Sequence, residues 1–190
     1  MRRTVGVCAL TLITMLAGTG IARTEPVAPV AADPRIGVVF FGNTPYHTCS
    51  GAVLDTPTKD LVITAGHCVL GSGFGISFAP GYDDGASPHG VYNVTQVYQD
   101  PRWVQGKDPR FDYSVLLVDR PMGITGMRLA AAPGAGTATR VTGYVQGIGG
   151  NAVSCTAPTG SDRGFPVIPC PGFLDGTTGG PWVVGERDLV

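Results

Sequence analysis

Short apolar runs separated by polar turns rich in glycine and proline set the rhythm of this chain. Ile36 to Phe41 reads IGVVFF, and runs of strand length follow at Ala52 to Leu54, Leu61 to Thr64, Val91 to Tyr98 and Tyr113 to Val118. Each is rich in β-branched and aromatic side chains, which suit a pleated, half-buried surface. Between them stand GNTPYH, DTPTKD, GSGFG, APGYDDGASPHG and QDPRWVQGKDPR, all turn material. TRVTGYVQG and PWVVG continue the manner in the second half. Past the N-terminal segment, no stretch as long as a helical window of roughly 11 residues keeps a 3.6-residue period. The pattern predicts an all-β protein, antiparallel, built as barrels or a sandwich.

The N-terminal segment follows another rule. MRRTVGVCALTLITMLAGTGIA has two arginines, an apolar run from Val5 to Gly18, and small residues at Gly20 and Ala22. Residues 1–22 read as a signal peptide. The alternative is a membrane anchor, for which the run is short of the roughly 20 apolar residues a spanning helix needs. Arg2 and Arg3 alone are weak grounds for a twin-arginine route. Residues 23–35, with three prolines and no turn to nucleate a strand, read as a linker or pro-segment.

Composition narrows the function classes. Gly (29) and Pro (16) are abundant in 190 residues, yet 43% hydrophobic content argues for a packed core and a single folding unit. Removal of Arg2 and Arg3 takes the formal charge from −1 to −3, 11 basic against 14 acidic residues. Lys59 and Lys107 are the only lysines, and no basic stripe exists to hold nucleic acid. Once Cys8 leaves with the signal, Cys49, Cys68, Cys155 and Cys170 remain, an even number suited to two disulfides in an oxidising compartment. Cys155 and Cys170 are expected to close a loop in the second half.

Three separated stretches carry candidate chemistry. LVITAGHCVL sets His67 on a small-residue turn directly after a strand; FDYSVLLVDRP sets Asp112 before an apolar strand; DGTTGGPW sets Thr178 in a glycine-rich turn that runs into another strand. With CSGAVL around Cys49, and in the order His67, Asp112, Thr178, these motifs resemble the trypsin-like (chymotrypsin-fold) serine endopeptidases of the bacterial secreted type. The resemblance covers about residues 36 to 184. It implies two antiparallel β-barrels, over 36–120 and 121–190, and a Cys49–Cys68 disulfide worth roughly 3 kcal/mol in the chain-entropy model. It further implies His67 as general base, Asp112 accepting its Nδ1 proton, Thr178 in the nucleophile position, and the Gly176 and Thr178 amides as an oxyanion hole. The implied substrate is a protein or peptide, hydrolysed by a secreted monomer without a cofactor or a stable membrane association.

The sequence departs from that family in three places. A threonine occupies the serine position, and its β-branch limits χ1 and adds a methyl. Thr177 replaces the aspartate that pairs with a newly cut N-terminus in animal members, so Arg35–Ile36 is read as linker rather than as an activation site. Only 12 residues follow Thr178, so the second barrel is expected to be incomplete at its C-terminus. Two function classes follow: an endopeptidase with a His-Asp-Thr triad, or an inactive relative that acts, if at all, as a protein-binding module. Asp108, between Lys107 and Pro109, reads as a turn residue rather than a rival to Asp112. His47, His67, His89 and the cysteines lack C-x-x-C or H-x-x-x-H spacing for zinc, and Asp83–Asp84 offers too few ligands for calcium.

Overall fold

The computed structural model describes residues 23–69, 71–185 and the backbone of 188–189; the proposed signal segment 1–22 lies outside the described residues. The strands in chain order are β1 (Ala28–Pro29), β2 (Ile36–Phe40), β3 (His47–Val53), β4 (Leu61–Ala65), β5 (Ser77–Pro80), β6 (Tyr92–Gln99) and β7 (Tyr113–Val118). There follow β8 (Arg128–Leu129), β9 (Ala138–Tyr144), β10 (Ala152–Pro158), β11 (Gly160–Asp162), β12 (Phe165–Val167), β13 (Trp182–Val184) and β14 (Asp188–Leu189). One short helix, α1 (Pro101–Gly106), precedes β7.

Strands β2 to β7 close into a barrel in the order β2-β3-β4-β7-β6-β5. The second half forms a six-stranded sheet, β1-β10-β9-β13-β14-β8, with β11 and β12 as a separate hairpin. Among the described strands every pairing is antiparallel except β14 with β8, which run parallel; an isolated bridge between Leu54 and Met127 is also parallel. The β14–β8 pair departs from the fully antiparallel expectation. The segment 23–35 also differs from a free linker: Ala28 and Pro29 pair with Ser154 and Val153, and the Glu25 amide donates to Thr156 O at 2.7 Å. Proline tolerates this place because β1 is an edge strand.

Two apolar clusters explain the sequence pattern. Val39, Val53, Val62, Phe78, Leu116 and Val118 belong to one, drawn from the barrel strands and fully or nearly fully buried. Ile36, Val38 and Phe40 join Met127, Tyr144 and Val183 in the other, which spans both sheets. Strand β2 is therefore buried on both faces and reads as a continuous apolar run, whereas β4 and β7 alternate as half-buried strands do. Helix α1 was hidden in turn material because six residues are too few to show a period. Its start is nonetheless encoded: Asp100 Oδ1 caps the Arg102 amide and Pro101 takes the first helical position.

Candidate active site

His67 lies in the 3-10 turn Gly66–Cys68 that ends β4. Asp112 follows a second 3-10 turn, Pro109–Phe111, and leads into β7, which pairs with β4. The pairing brings the two together. Asp112 Oδ1 accepts the His67 amide at 2.8 Å, and Oδ2 takes His67 Nδ1 at 2.6 Å. A carboxylate only accepts, so the Nδ1 proton stays on the ring and Nε2 keeps its lone pair. Two contacts from one carboxylate fix both the turn and the ring.

Neighbouring groups hold this pair. Gln99 Nε2 donates to Gly66 O at 2.9 Å and to Ser114 Oγ at 2.8 Å, bridging the His67 turn to β7. A Cβ on Gly66 would lie 2.6 Å from Trp103 Nε1 and 2.8 Å from Asp112 Oδ1, so glycine allows that close approach. The buried Trp103 ring stands 6.4 Å from the His67 ring. Cys49 and Cys68 are disulfide-bonded, joining the turn to β3, and Cys155 and Cys170 form the second bridge. Asp108 caps the Arg110 amide and pairs with its guanidinium, away from His67.

The turn carrying Thr178 is oriented by its carbonyls. Asp175 O accepts from the Gln146 amide at 2.8 Å, Gly176 O from Ser50 Oγ at 2.9 Å, Thr177 O from the Gly180 amide at 3.1 Å and Thr178 O from the Ser50 amide at 2.8 Å. Each peptide group is planar and trans, so an N–H points opposite the carbonyl it shares a plane with. Among the described residues, no acceptor within hydrogen-bond reach takes the Gly176 or Thr178 amide. Gly176 has φ +97°, and a Cβ there would meet Gln146 N at 2.0 Å. Thr177 closes on itself, its Oγ1 donating to Leu174 O at 2.9 Å. Cys68 Sγ lies 3.9 Å from Thr178 O as a contact, since a disulfide sulfur has no proton to donate.

His67, Gly176 and Thr178 line one cavity of about 360 Å³, together with Phe41, Gln146 and the Cys49–Cys68 bridge. No hydrogen bond joins Thr178 Oγ1 to the His67 ring among the described residues. Sequence reading missed Ser50 and Gln99. Ser50 stands beside Cys49 in CSGAVL, but its partners Gly176 and Tyr144 lie 126 and 94 positions away, out of reach of any local pattern.

A family model described as Trypsin matches residues 23–159. A Bacillus subtilis (strain 168) protein named extracellular metalloprotease is 28% identical over 125 residues, which cover 61% of this chain and 39% of that one. The chain thus spans well under half of that relative. Among solved structures, a thermostable serine protease from an extremophilic microorganism is 28% identical, with a TM-score of 0.68 over 80% of this chain and 79% of the other. Protease Anisep from Arthrobacter nicotinovorans is 25% identical, with a TM-score of 0.71 over 85% and 82%. A Glu endopeptidase, 17% identical with a TM-score of 0.72 over 87% and 83%, is alike in fold alone.

Proposed function

Since the chain belongs to the trypsin family, we propose that it is an exported endopeptidase of the serine type, with Thr178 in the nucleophile position and protein or peptide as substrate. The observation that carries this reading is the shared cavity, lined by His67, whose Nε2 keeps its lone pair, and by Gly176 and Thr178, whose amides have no acceptor among the described residues. His67 Nε2 takes the Thr178 proton as Oγ1 attacks the scissile carbonyl. The Gly176 and Thr178 amides hold the charge that develops on the carbonyl oxygen, a donor of this kind being worth about 10²–10³ in rate. Asp112 stabilises the imidazolium, which then protonates the leaving amine; water repeats the cycle on the acyl ester. Residues 1–22 are the signal peptide and 36–190 the peptidase domain. Export is supported by two disulfides and by a relative whose name calls it extracellular.

That relative's name also speaks of a metal. In this chain His67 Nδ1 is held by Asp112, and among the described residues no three His, Cys, Asp or Glu side chains converge as ligands. No step is routed through a metal.

Hydrolysis is expected to be slow. The Thr178 methyl must clear both the His67 ring and the substrate carbonyl, and a displacement of about 1 Å can cost roughly a hundredfold. The missing Thr178–His67 hydrogen bond favours a second reading, an inactive relative that binds protein. Labelling with a fluorophosphonate, which reports an activated hydroxyl, separates the two. The endopeptidase reading expects weak labelling of the native chain, stronger labelling of Thr178→Ser, and none in Thr178→Ala or His67→Ala. A native chain that stays unlabelled while Thr178→Ser reacts makes the inactive reading correct.

A further inference from the structure

We propose that His47 is a positioning residue for the amide pair: its buried ring anchors the 146–150 loop, whose first amide sets the direction of the Gly176 N–H. This rests on reading Gly176 and Thr178 as the oxyanion site. It concerns what keeps one of those two amides aimed into the cavity.

His47 opens β3 and is fully buried. Its backbone exchanges hydrogen bonds with Gly147, at 2.9 and 3.1 Å, and its Nε2 lies 2.9 Å from Gly149 O. A carbonyl accepts only, so Nε2 carries the hydrogen and Nδ1 the lone pair. Nδ1 is buried without a partner among the described residues. Around the ring stand Phe40, Tyr82 and Tyr144, each edge-on, with centroids 6.1, 5.4 and 6.4 Å away. An aromatic cage of this kind suits an apolar side chain, and a histidine in it leaves a buried acceptor unpaired, which is unfavourable. The one polar contact its ring makes among the described residues, with Gly149, is what sets it apart from leucine or methionine.

That contact falls on a glycine-rich loop. Gly147, Gly149 and Gly150 have φ of 153°, 74° and 89°, and glycine supplies little stiffness of its own. Besides His47, the loop is tied by Gly149 N to Tyr82 Oη at 3.1 Å and at its far end by two bonds to Asp84, Gly150 N to Oδ1 at 2.9 Å and the Asp84 amide to Gly150 O at 3.1 Å. From its first residue, the Gln146 amide holds Asp175 O at 2.8 Å. Asp175 and Gly176 share one peptide plane, so that bond turns the Gly176 N–H to the opposite side. The Thr178 amide is fixed differently, through Gly180 N to Thr177 O and Ser50 N to Thr178 O, with no link through the loop. Loss of the His47 contact should therefore release one amide of the pair and spare the other.

Amide hydrogen exchange and chemical shifts of the folded chain, compared with His47→Leu, His47→Gln and Tyr82→Phe, test this without needing activity. In His47→Leu the Gln146 amide is expected to exchange at least tenfold faster and the Gly176 resonance to move, while the Ser50 and Gly180 amides stay within about twofold. His47→Gln places an N–H near the original Nε2 and should recover most of the protection. Tyr82→Phe removes a neighbouring anchor and should give a smaller change in the same direction. Equal acceleration of the Gln146, Ser50 and Gly180 amides would mean general loosening and overturn the proposal, as would an unchanged Gln146 amide. If His47→Leu does not fold, an unchanged Gln146 amide in Tyr82→Phe overturns it alone. Fluorophosphonate labelling is followed in parallel: a native chain that never labels defeats the catalytic reading, while the exchange pattern still decides the positioning role.

Discussion

Gly176→Ala isolates the close approach between the Thr178 turn and the 146–150 loop. The added Cβ would stand 2.0 Å from Gln146 N, 2.6 Å from its Cα and 2.8 Å from its Cβ. Two of these three atoms are backbone, so the side chain cannot simply swing aside. The turn must withdraw by roughly 1.4 Å, from 2.0 Å to the 3.4 Å where ordinary contact begins. Such a shift breaks the bond from Gln146 N to Asp175 O and misplaces the Gly176 amide. Alanine at φ +97° adds a left-handed backbone penalty of about 1–2 kcal/mol. A broken, partly buried hydrogen bond adds about 1–3 kcal/mol. Gly172 provides an internal control, because it has the same φ of +97° while its Cβ would meet nothing nearer than Val27 at 3.9 Å. Urea unfolding followed by tryptophan fluorescence should show Gly172→Ala losing only the backbone part, and Gly176→Ala losing about 2–5 kcal/mol. Labelling at Thr178 should fall about a hundredfold in Gly176→Ala alone. Equal losses in the two variants, or normal labelling of Gly176→Ala, would refute the contact on which the reasoning stands.

Other consequences can be measured independently. Replacing Cys155 and Cys170 together by serine should lower unfolding stability by roughly 3 kcal/mol, the chain-entropy value for a loop of this size, and a loss near zero in urea titration would count against it. Gln99→Leu takes the side-chain donor from Gly66 O, which keeps only the Val69 amide at 3.2 Å, and from the buried Ser114 hydroxyl; stability should drop by about 1–3 kcal/mol and Thr178 labelling should slow, whereas unchanged labelling would detach Gln99 from the site. Burial holds the His47 pKa below its ordinary 6.5, so the folded chain takes up this proton less readily than the unfolded one. Its contribution is complete above pH 6.5 and declines as pH falls from there toward the folded value, by up to about 1.4 kcal/mol per pH unit. Urea midpoints across that range should fall for the native chain and flatten in His47→Leu.

Legibility in the sequence followed the range of each interaction. The barrel strands could be read because β-branched runs and turn residues are local signals, and β2 stood out because both its faces are covered. His67 and Asp112 could be singled out because each sits in a motif a few residues long next to a strand. What joins the two halves could not be read. The His47 contact with Gly149 spans 102 positions and the Ser50 contact with Gly176 spans 126, and neither residue type announces its partner. β1 escaped notice because its proline argues against a strand everywhere except at an edge. The parallel β14–β8 pair depends on two residues at each end and leaves no periodic trace.

The pairing of β1 with β10 would give the site of the proposed N-terminal trimming a structural meaning. Small residues between Ala22 and Ala32 offer several places for a signal-processing cut. A cut before Glu25 keeps both the Glu25 amide bond to Thr156 and the ladder from Ala28 and Pro29 to Ser154 and Val153. A cut after Pro29 removes both and leaves most of β10, beyond the Val30 contact with Ala152 O, as an open margin for pairing with another chain. Residues near 28 leave the ribosome first, yet find their partners only after residue 153 has been made. For all of that interval the segment is unprotected, so a protease acting early would decide between a monomer and a self-associating product before the fold exists.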